Sequence, residues 1–437
     1  MRFKKVLLTH LYYKESGYGD ALNFPPAGLG YLGQYLEKEN IMYDVIDTGT
    51  GYTHEDVLDR ISIFRPDLAA FSLTSICYPK SFELIRRIKE IHPDMTIVVG
   101  GAHVSTRKTA ILAQNEAIDF AIEKEGEIPL SLLCKGELPE RIPGLMWRGK
   151  GGKINSNAPQ LADINQFPYP KYECFDLLNR YKSGSISIVT SRGCPFKCAF
   201  CQQSSLLGKK WRGREAQDVV DEIEYWYNRG FLSIHILDDN FGLDRARFFR
   251  IAELLAKKKM NNLKLFLIGG LRIQNMTEDV LVALKKMGVS NLSFGVESGS
   301  DKILKFIEKG ITVKDVDRVV KIAVDMEFLV RLFFIIGFPY EKMEDVKKTF
   351  ELALRHRVYE VRFFNLVPYE ETKIMSWIEE NDAKLLYPYE EYMSNFKRFQ
   401  RIPIVAAKEG MTLEEKKEAL RMADEVVGQV EARRSVV

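Results

Sequence analysis

ISIVTSRGCPFKCAFC, residues 186–201, runs from a short strand-like segment directly into three cysteines, Cys194, Cys198 and Cys201, spaced Cys-x3-Cys-x2-Cys. The apolar residues 186–190 predict a buried strand, which puts the cysteines on the loop at its carboxyl end. Three thiolates on one loop can hold three irons of a four-iron cluster and leave the fourth iron without a protein ligand. An open iron can bind substrate or cofactor, whereas a fully ligated cluster only passes electrons. A structural zinc site and an electron-transfer cluster are the other readings. Zinc usually takes four ligands arranged as two pairs, and no second pair occurs nearby. A ferredoxin-type run carries a fourth cysteine, and the nearest one here, Cys174, stands well upstream of the strand.

The same alternation continues downstream. LSIHIL, LKLFLIG, SNLSFGV, VRLFFIIG and EVRFFNLV follow as apolar runs, with helical stretches such as 216–227 and 344–355 between them. Residues 185–385 thus read as six strand–helix units. The strand ends are polar: Asp238-Asp239-Asn240-Phe241, Gly269-Gly270-Leu271-Arg272, Gly295-Val296-Glu297-Ser298-Gly299-Ser300, Gly337-Phe338-Pro339 and Pro368-Tyr369. Barrel enzymes carry their chemistry on these loops. Each loop taken singly is also ordinary turn and helix-cap chemistry. Residues 386–437 are helical and charged, and read as an extension that either packs over the barrel mouth or, the favoured reading, forms a solvated cap.

Upstream, residues 1–142 alternate strands (VLLTHL, YDVIDT, LAAFSLT, TIVVGG, FAIEKEGE) with helical segments at 29–36, 55–64, 80–91 and 108–114. Apolar strands alternating with helices mean a parallel sheet covered on both faces, of the doubly wound kind. Such sheets bind ligands beyond the carboxyl ends of their strands. Residues 143–184, rich in Gly, Pro, Asn and Lys and containing FPYPKY, read as a linker.

Composition sets the outer bounds. A chain of 437 residues, 46% apolar and 28% charged, builds two or three domains with sizeable cores. A net charge of +3 gives no argument for nucleic acid or membrane binding. No transmembrane segment or signal sequence is evident, and six cysteines, three of them clustered, fit reduced thiols used for metal; the expected location is the cytoplasm.

The cysteine loop, with aromatic Phe200 before its third cysteine, resembles that of the radical S-adenosylmethionine (SAM) enzymes. The ordered series DDNF, GVESGSDKILKFIEKGIT, FIIGFP and LVPYEET resembles the members with an N-terminal cobalamin-binding domain, over most of residues 1–380. The fold this implies is a doubly wound, Rossmann-like cobalamin-binding domain, then a partial (β/α)6 TIM-type barrel and a helical C-terminal extension. The implied cofactors are a [4Fe-4S] cluster on Cys194, Cys198 and Cys201, together with SAM and cobalamin. By the same resemblance, SAM contacts fall on Phe200, Asp238, Asp239, Arg272, Glu297, Ser298 and Gly337. Cobalamin contacts fall on Pro25 and Pro26, on Ser72, Thr74 and Ser75, on Gly100, Gly101 and His103, and on Gly126 and Glu127. A Gly-Gly after an apolar strand also suits a flavodoxin-like domain that binds nothing.

Three departures stand out. Tyr340-Glu341 replaces the family's usual Gly-Glu, and Glu370-Glu371-Thr372 its Pro-Gly-Thr, so substrate identity is not carried over. The Asp-x-His-x-x-Gly cobalt-ligand motif of better-known cobalamin domains is missing: His10 has no Asp two before it and no Gly three after it, and reads as structural. The fused family members commonly lack that histidine too, which implies cobalamin bound without a histidine ligand.

The activity implied is methylation of an unactivated carbon. One SAM methylates cob(I)alamin, a second yields a 5'-deoxyadenosyl radical, and the substrate radical takes its methyl from methylcobalamin. Members that cyclise, oxidise or rearrange without methyl transfer resemble the chain equally well. A methylthiotransferase needs three further cysteines in the first domain, where only Cys77 and Cys134 occur. A non-catalytic cofactor carrier would not need polar loops at every barrel strand end. The substrate is open among a small molecule, lipid, tetrapyrrole or peptide; the implied reductant is a flavodoxin or ferredoxin, under anaerobic conditions. No residue is singled out for handling protons.

Overall fold

The computed structural model describes residues 2–12, 24–181, 184–267 and 269–434. Ile268, inside the third expected barrel strand, and residues 435–437 of the tail lie outside the described residues. The chain forms two compact units, Met1–Ser187 with Met393–Phe396, and Ile188–Tyr392 with Lys397–Val437.

In the first unit the apolar runs become β1 (Lys5–His10), β2 (Met42–Asp47), β3 (Leu68–Ser72), β4 (Thr96–Gly100) and β5 (Phe120–Ile122). They are parallel, in the order β2-β1-β3-β4-β5. The middles of β1, β3 and β4 are wholly buried, as a parallel sheet covered on both faces requires. Helix His54–Phe64 starts at a capping box in which Thr53 and Asp56 satisfy each other's backbone N–H groups. The chain steps from β1 outward to β2 and returns on the other side as β3. That reversal is the switch point at whose carboxyl edge doubly wound folds open a crevice. Register places Asp47, His10, Ser72 and Gly100 in one row across this edge.

Residues 143–184 are not a simple linker. β6 (Leu145–Arg148) pairs antiparallel with β5, and β7 (Ile154–Ser156) with β6, extending the sheet to seven strands. The glycine- and lysine-rich run is the hairpin turn between them, closed by Gly149 N–H donating to the Lys153 carbonyl at 2.7 Å. Farther on, the buried Tyr172 packs on Gly30, where an added Cβ would stand 2.3 Å from its ring.

The second series starts with β8 (Ser185–Ile188), followed by a two-residue ribbon of β9 (Ser191–Arg192) and β10 (Arg212–Gly213). β11 (Ser233–Ile236) and β12 (Lys264–Leu267) join β8 in one three-stranded sheet. β13 (Asn291–Glu297), β14 (Leu329–Ile336) and β15 (Glu360–Asn365) form another, and a bridge between Leu265 and Val289 links the two. Helices Ala216–Tyr227, Arg245–Ala256, Glu278–Lys286, Val313–Asp325 and Met343–Arg355 alternate with the strands. The register of β13 slips between Gly295 and Glu297, and Glu297 takes a φ of 72°.

The tail differs from the solvated cap expected of it. After the antiparallel pair β16 (Ala383–Leu385) and β17 (Val405–Ala407), helix Leu413–Arg434 packs on β15 and on helix Met343–Arg355. It buries Ala419, Leu420, Ala423, Val426 and Val430, a narrow apolar stripe diluted in sequence by charges on the other faces. Lys416 is also buried, its Nζ donating to the Val405 carbonyl at 2.8 Å. Leu420→Ala is therefore expected to cost about 2–5 kcal/mol of stability. Urea denaturation checks this; an unchanged midpoint would mean the helix is solvated after all.

Candidate functional site

The cysteine loop is held at both ends by backbone contacts. Gly193, at a φ of 89°, faces the segment that leads into β10: an added Cβ would stand 2.4 Å from the Lys210 carbonyl and 3.0 Å from that of Gly208. Its N–H donates to Asp239 Oδ2 at 3.2 Å, and the Cys194 N–H donates to the Gly208 carbonyl at 3.2 Å. Ala199 is clamped from two later segments, donating to the Ile307 carbonyl at 2.8 Å and accepting from Ile374 N–H at 3.0 Å. The three thiols are free and half-buried. Burial pushes Cys194 up and Cys201 up to about 11, and Cys201 also responds to the charges of Cys198 and Cys194, so the three share one neighbourhood.

Among the described residues, no group of three or more Cys, His, Asp or Glu converges as ligands of a single ion do. A cluster seats each thiolate on a different iron and needs only three protein ligands, so this donor set suits it better than zinc, which usually takes four.

Around this loop the structure brings together Phe200, Arg272 and Glu297, through a residue that the sequence reading did not single out, Lys309. Arg272 donates from Nη1 to Cys198 Sγ at 3.4 Å, stacks 3.6 Å over the Phe196 ring and donates to the Lys309 carbonyl. Lys309 Nζ donates to Glu297 Oε1 at 2.7 Å and lies 5.7 Å from the Phe200 ring, which meets Phe338 at 5.9 Å. Lys309 sits inside the quoted run GVESGSDKILKFIEKGIT, but nothing in its spacing marks it off from the other lysines there. Burial raises Asp239 to about 6, against the pull of the Gly193 N–H.

Three of the expected SAM residues are engaged elsewhere. Asp238 accepts from Thr190 N–H and Thr190 Oγ1, both at 2.6 Å, and from Ser191 Oγ at 2.5 Å. Ser298 is fully buried, its Oγ 3.4 Å from Thr349 Oγ1 and accepting from the Ser300 N–H at 3.2 Å. Gly337 donates its N–H to Glu341 Oε2 at 2.6 Å.

In the first unit, Gly101 has a φ of 95°, and an added Cβ would stand 2.8 Å from the Leu73 carbonyl and 3.2 Å from Ser72 Oγ. The Leu73 backbone packs directly on this glycine, so no side chain is tolerated there. His103 lies beside it, 1% exposed, with Nδ1 3.1 Å from Ser75 Oγ and its ring stacked on Tyr78 at 4.3 Å. Among the described residues its Nε2 has no hydrogen-bond partner. An orphaned buried nitrogen at the carboxyl edge of the sheet fits a ligand edge with polar groups. Thr74 is half-buried and its carbonyl accepts from Cys77 N–H; Gly126 caps helix Glu127–Lys135, with Glu127 buried on its first turn. Pro25 and Pro26 lead into helix Ala27–Lys38, and the Pro25 carbonyl accepts from Ser187 Oγ at 3.1 Å.

Residues 188–353 match the model of the radical SAM superfamily, and residues 21–133 that of the B12-binding domain. The chain is a radical SAM enzyme with a B12-binding domain. Its cofactors are accordingly a [4Fe-4S] cluster, SAM and cobalamin. The uncharacterized methyltransferase PH0819 of Pyrococcus horikoshii is 29% identical over 84% of this radical SAM chain and 81% of its own length. The anaerobic magnesium-protoporphyrin IX monomethyl ester cyclase of Rubrivivax gelatinosus is 26% identical over 80% of this chain and 65% of its own. In fold, the chain resembles the radical SAM methyltransferase TsrM of Kitasatospora setae, solved with cobalamin and a [4Fe-4S] cluster. That match has a TM-score of 0.76 at 20% identity, covering 88% of this chain and 81% of that one. No helix among the described residues is long and apolar enough to cross a membrane.

Two tests follow from the geometry. Gly193→Ala forces a Cβ against the Lys210 carbonyl, and is expected to lower the iron retained per chain after anaerobic reconstitution roughly two-fold or more. Burial, with Arg107 adding to it, pushes His103 from an ordinary 6.5 down to about 3, so the unfolded chain takes up a proton that the folded one refuses. Stability from this group is complete above pH 6.5 and is lost as pH falls toward 3, by up to about 1.4 kcal/mol per unit. Urea midpoints at pH 7 and pH 5 are expected to differ less in His103→Gln than in the parent protein.

Proposed function

We propose that this enzyme transfers a methyl group to an unactivated carbon. One observation carries the reading: a three-thiol loop and, at the carboxyl edge of a doubly wound sheet, the buried His103 with its unpartnered Nε2 occur in one chain, and each falls within a matched family model. The alignment with methyltransferase PH0819 over 84% of the chain supports the methyl outcome. When bound, the cofactors supply reductive SAM cleavage, hydrogen abstraction and a methyl donor.

Cys194, Cys198 and Cys201 hold the cluster, and the Arg272 guanidinium, donating to Cys198 Sγ, fixes where that sulfur sits. Phe200 and Phe338 form an apolar wall that excludes water on one side. Glu297, oriented by Lys309, offers a carboxylate to the ribose hydroxyls of SAM, and Asp239 offers one to its amino group. Asp238, Ser298 and Gly337 support these groups through the loops they brace. On the first unit, Ser72, Gly100 and Gly101 admit the nucleotide tail of the corrinoid, and Ser75 and His103 flank it. The substrate is a small molecule, lipid, tetrapyrrole or peptide, and a flavodoxin- or ferredoxin-type protein supplies electrons.

The cyclase alignment over 80% of the chain supports a second reading, ring closure or oxidation without methyl transfer. Turnover with SAM deuterated in its methyl group separates the two. Methyl transfer predicts one labelled methyl in the product, with one S-adenosylhomocysteine and one 5'-deoxyadenosine formed per turnover. Formation of 5'-deoxyadenosine with an unlabelled product would favour the second reading.

A further inference from the structure

The stretch that carries the three cysteines is basic throughout. Residues 192–214 hold Arg192, Lys197, Lys209, Lys210, Arg212 and Arg214 and no Asp or Glu, although 60 of the chain's 437 residues are acidic. Arg214 is buried and ion-paired with Asp218 and Glu222, so it serves the fold. Lys197, Lys209 and Lys210 are exposed, and among the described residues none of the three makes an ion pair or a side-chain hydrogen bond. Several exposed lysines elsewhere in the same unit are neutralised: Lys257 by Glu253, Lys321 by Asp325, Lys373 by Glu308 and Lys417 by Glu414.

The backbone keeps these lysines where the thiols are. Lys197 lies between Cys194 and Cys198. The Gly208 carbonyl accepts the Cys194 N–H at 3.2 Å, and the Lys210 carbonyl packs on Gly193, so the chain around Lys209 and Lys210 lies against the start of the cysteine loop. Trp211 anchors this segment, its Nε1 donating to the Asn240 carbonyl at 3.1 Å. Like charges gathered without partners repel one another and add nothing to folding. What they supply is a field over one surface, which draws in a partner of opposite charge.

We infer that Lys197, Lys209 and Lys210 form the docking surface for an acidic one-electron carrier protein. The inference rests on the flavodoxin- or ferredoxin-type reductant of the proposed function, and it names where that reductant sits. A partner bound for its charge alone, such as a nucleic acid, gains nothing from standing on the cysteine loop, whereas an electron donor gains its shortest path. With a flavodoxin as carrier, its anionic flavin hydroquinone gives up one electron and becomes the neutral semiquinone. That electron takes the cluster from 2+ to 1+; no bond is made and no proton moves. Attraction between the lysines and the carrier's carboxylates speeds encounter and weakens as salt rises.

The test uses the full chain reconstituted anaerobically, an acidic flavodoxin as donor, and titanium(III) citrate as a donor that needs no docking. Bleaching of the cluster absorbance follows reduction, and fluorescence anisotropy of dye-labelled, oxidised flavodoxin follows binding alone. In the double variant Lys209→Glu with Lys210→Glu, rate and affinity with flavodoxin are expected to fall about ten-fold or more at low salt, with the gap to the parent narrowing as salt rises. Iron per chain and the titanium citrate rate are expected to match the parent's. Lys209→Arg with Lys210→Arg, which keeps the charges, is expected to retain the flavodoxin rate. Unchanged rate and affinity in the charge-reversed variant would overturn the assignment. Equal losses with both donors would mark damage to the cysteine loop and overturn it too. Parental affinity for flavodoxin with lost retention of a single-stranded oligonucleotide would give the surface to nucleic acid instead. A parent chain bleached by titanium citrate but neither bound nor reduced by flavodoxin would overturn the docking surface and leave the cluster reading standing. A parent chain that retains no iron would overturn the cluster reading, and the docking surface with it.

Discussion

The second unit is organised around one buried carboxylate. Asp238, 2% exposed at the end of β11, accepts three hydrogen bonds from Thr190 and Ser191, the residues that link β8 to the cysteine loop. Burial pushes its pKa up, and these donors, with Arg247 nearby, pull the other way. Hydrogen bonds to a charged acceptor are worth about 1.5–3 kcal/mol each, and an unmet buried carboxylate costs more, so the loop is fixed in one place or the strand end is not formed at all. Arg247 adds a bond from Nη2 to the Thr190 carbonyl at 2.8 Å, and the buried Arg214 one to the Val189 carbonyl at 2.9 Å. Val189, Thr190 and Ser191, which lead toward the glycine turn, are thus tied by backbone bonds at Val189 and Thr190 and by side-chain bonds at Thr190 and Ser191, and the thiols that follow inherit that rigidity.

Much of this was legible in the sequence, for a physical reason. Buried parallel strands are apolar along their whole length, and amphipathic helices keep a 3.6-residue period, so the strand–helix alternation and helices such as Ala216–Tyr227 appear directly. What stayed hidden depends on partners far away in the chain. The hairpin of β6 and β7 looks like a linker because its turn carries the glycines and its strands are short, with β7 at the sheet edge. Helix Leu413–Arg434 looks solvated because its buried stripe is made of small residues among many charges. Asp238 and Asp239 are adjacent and identical in sequence, yet one is consumed by internal bonds and the other keeps an oxygen at the loop. Residue type cannot distinguish them; only the positions of Thr190 and Ser191 do. Lys309 was missed for the same reason.

Strain gathers on the same rim. Glu297 at a φ of 72° and Tyr340 at 62° hold left-handed conformations that cost a non-glycine residue roughly 1–2 kcal/mol each. Tyr340 stands where related enzymes commonly have glycine. Its ring meets Phe306 at 5.1 Å and Trp377 at 5.3 Å, an aromatic set whose packing offsets the backbone cost. Phe306 directly precedes Ile307, one of the two clamps on Ala199, so the departure from glycine braces the cysteine loop from outside.

The double clamp on Ala199 also sets an order in time. Ile307 and Ile374 are made long after the cysteines, and at about 5–20 residues per second the interval between Ala199 and Ile374 lasts on the order of ten seconds or more. Throughout that interval the nascent chain carries three thiols with no seat. Iron delivered before the ribosome has passed Ile374 meets a mobile loop, and an oxidant meets unprotected sulfur. A loop clamped on both sides of Ala199 is therefore available to receive its cluster only once Ile374 has been made.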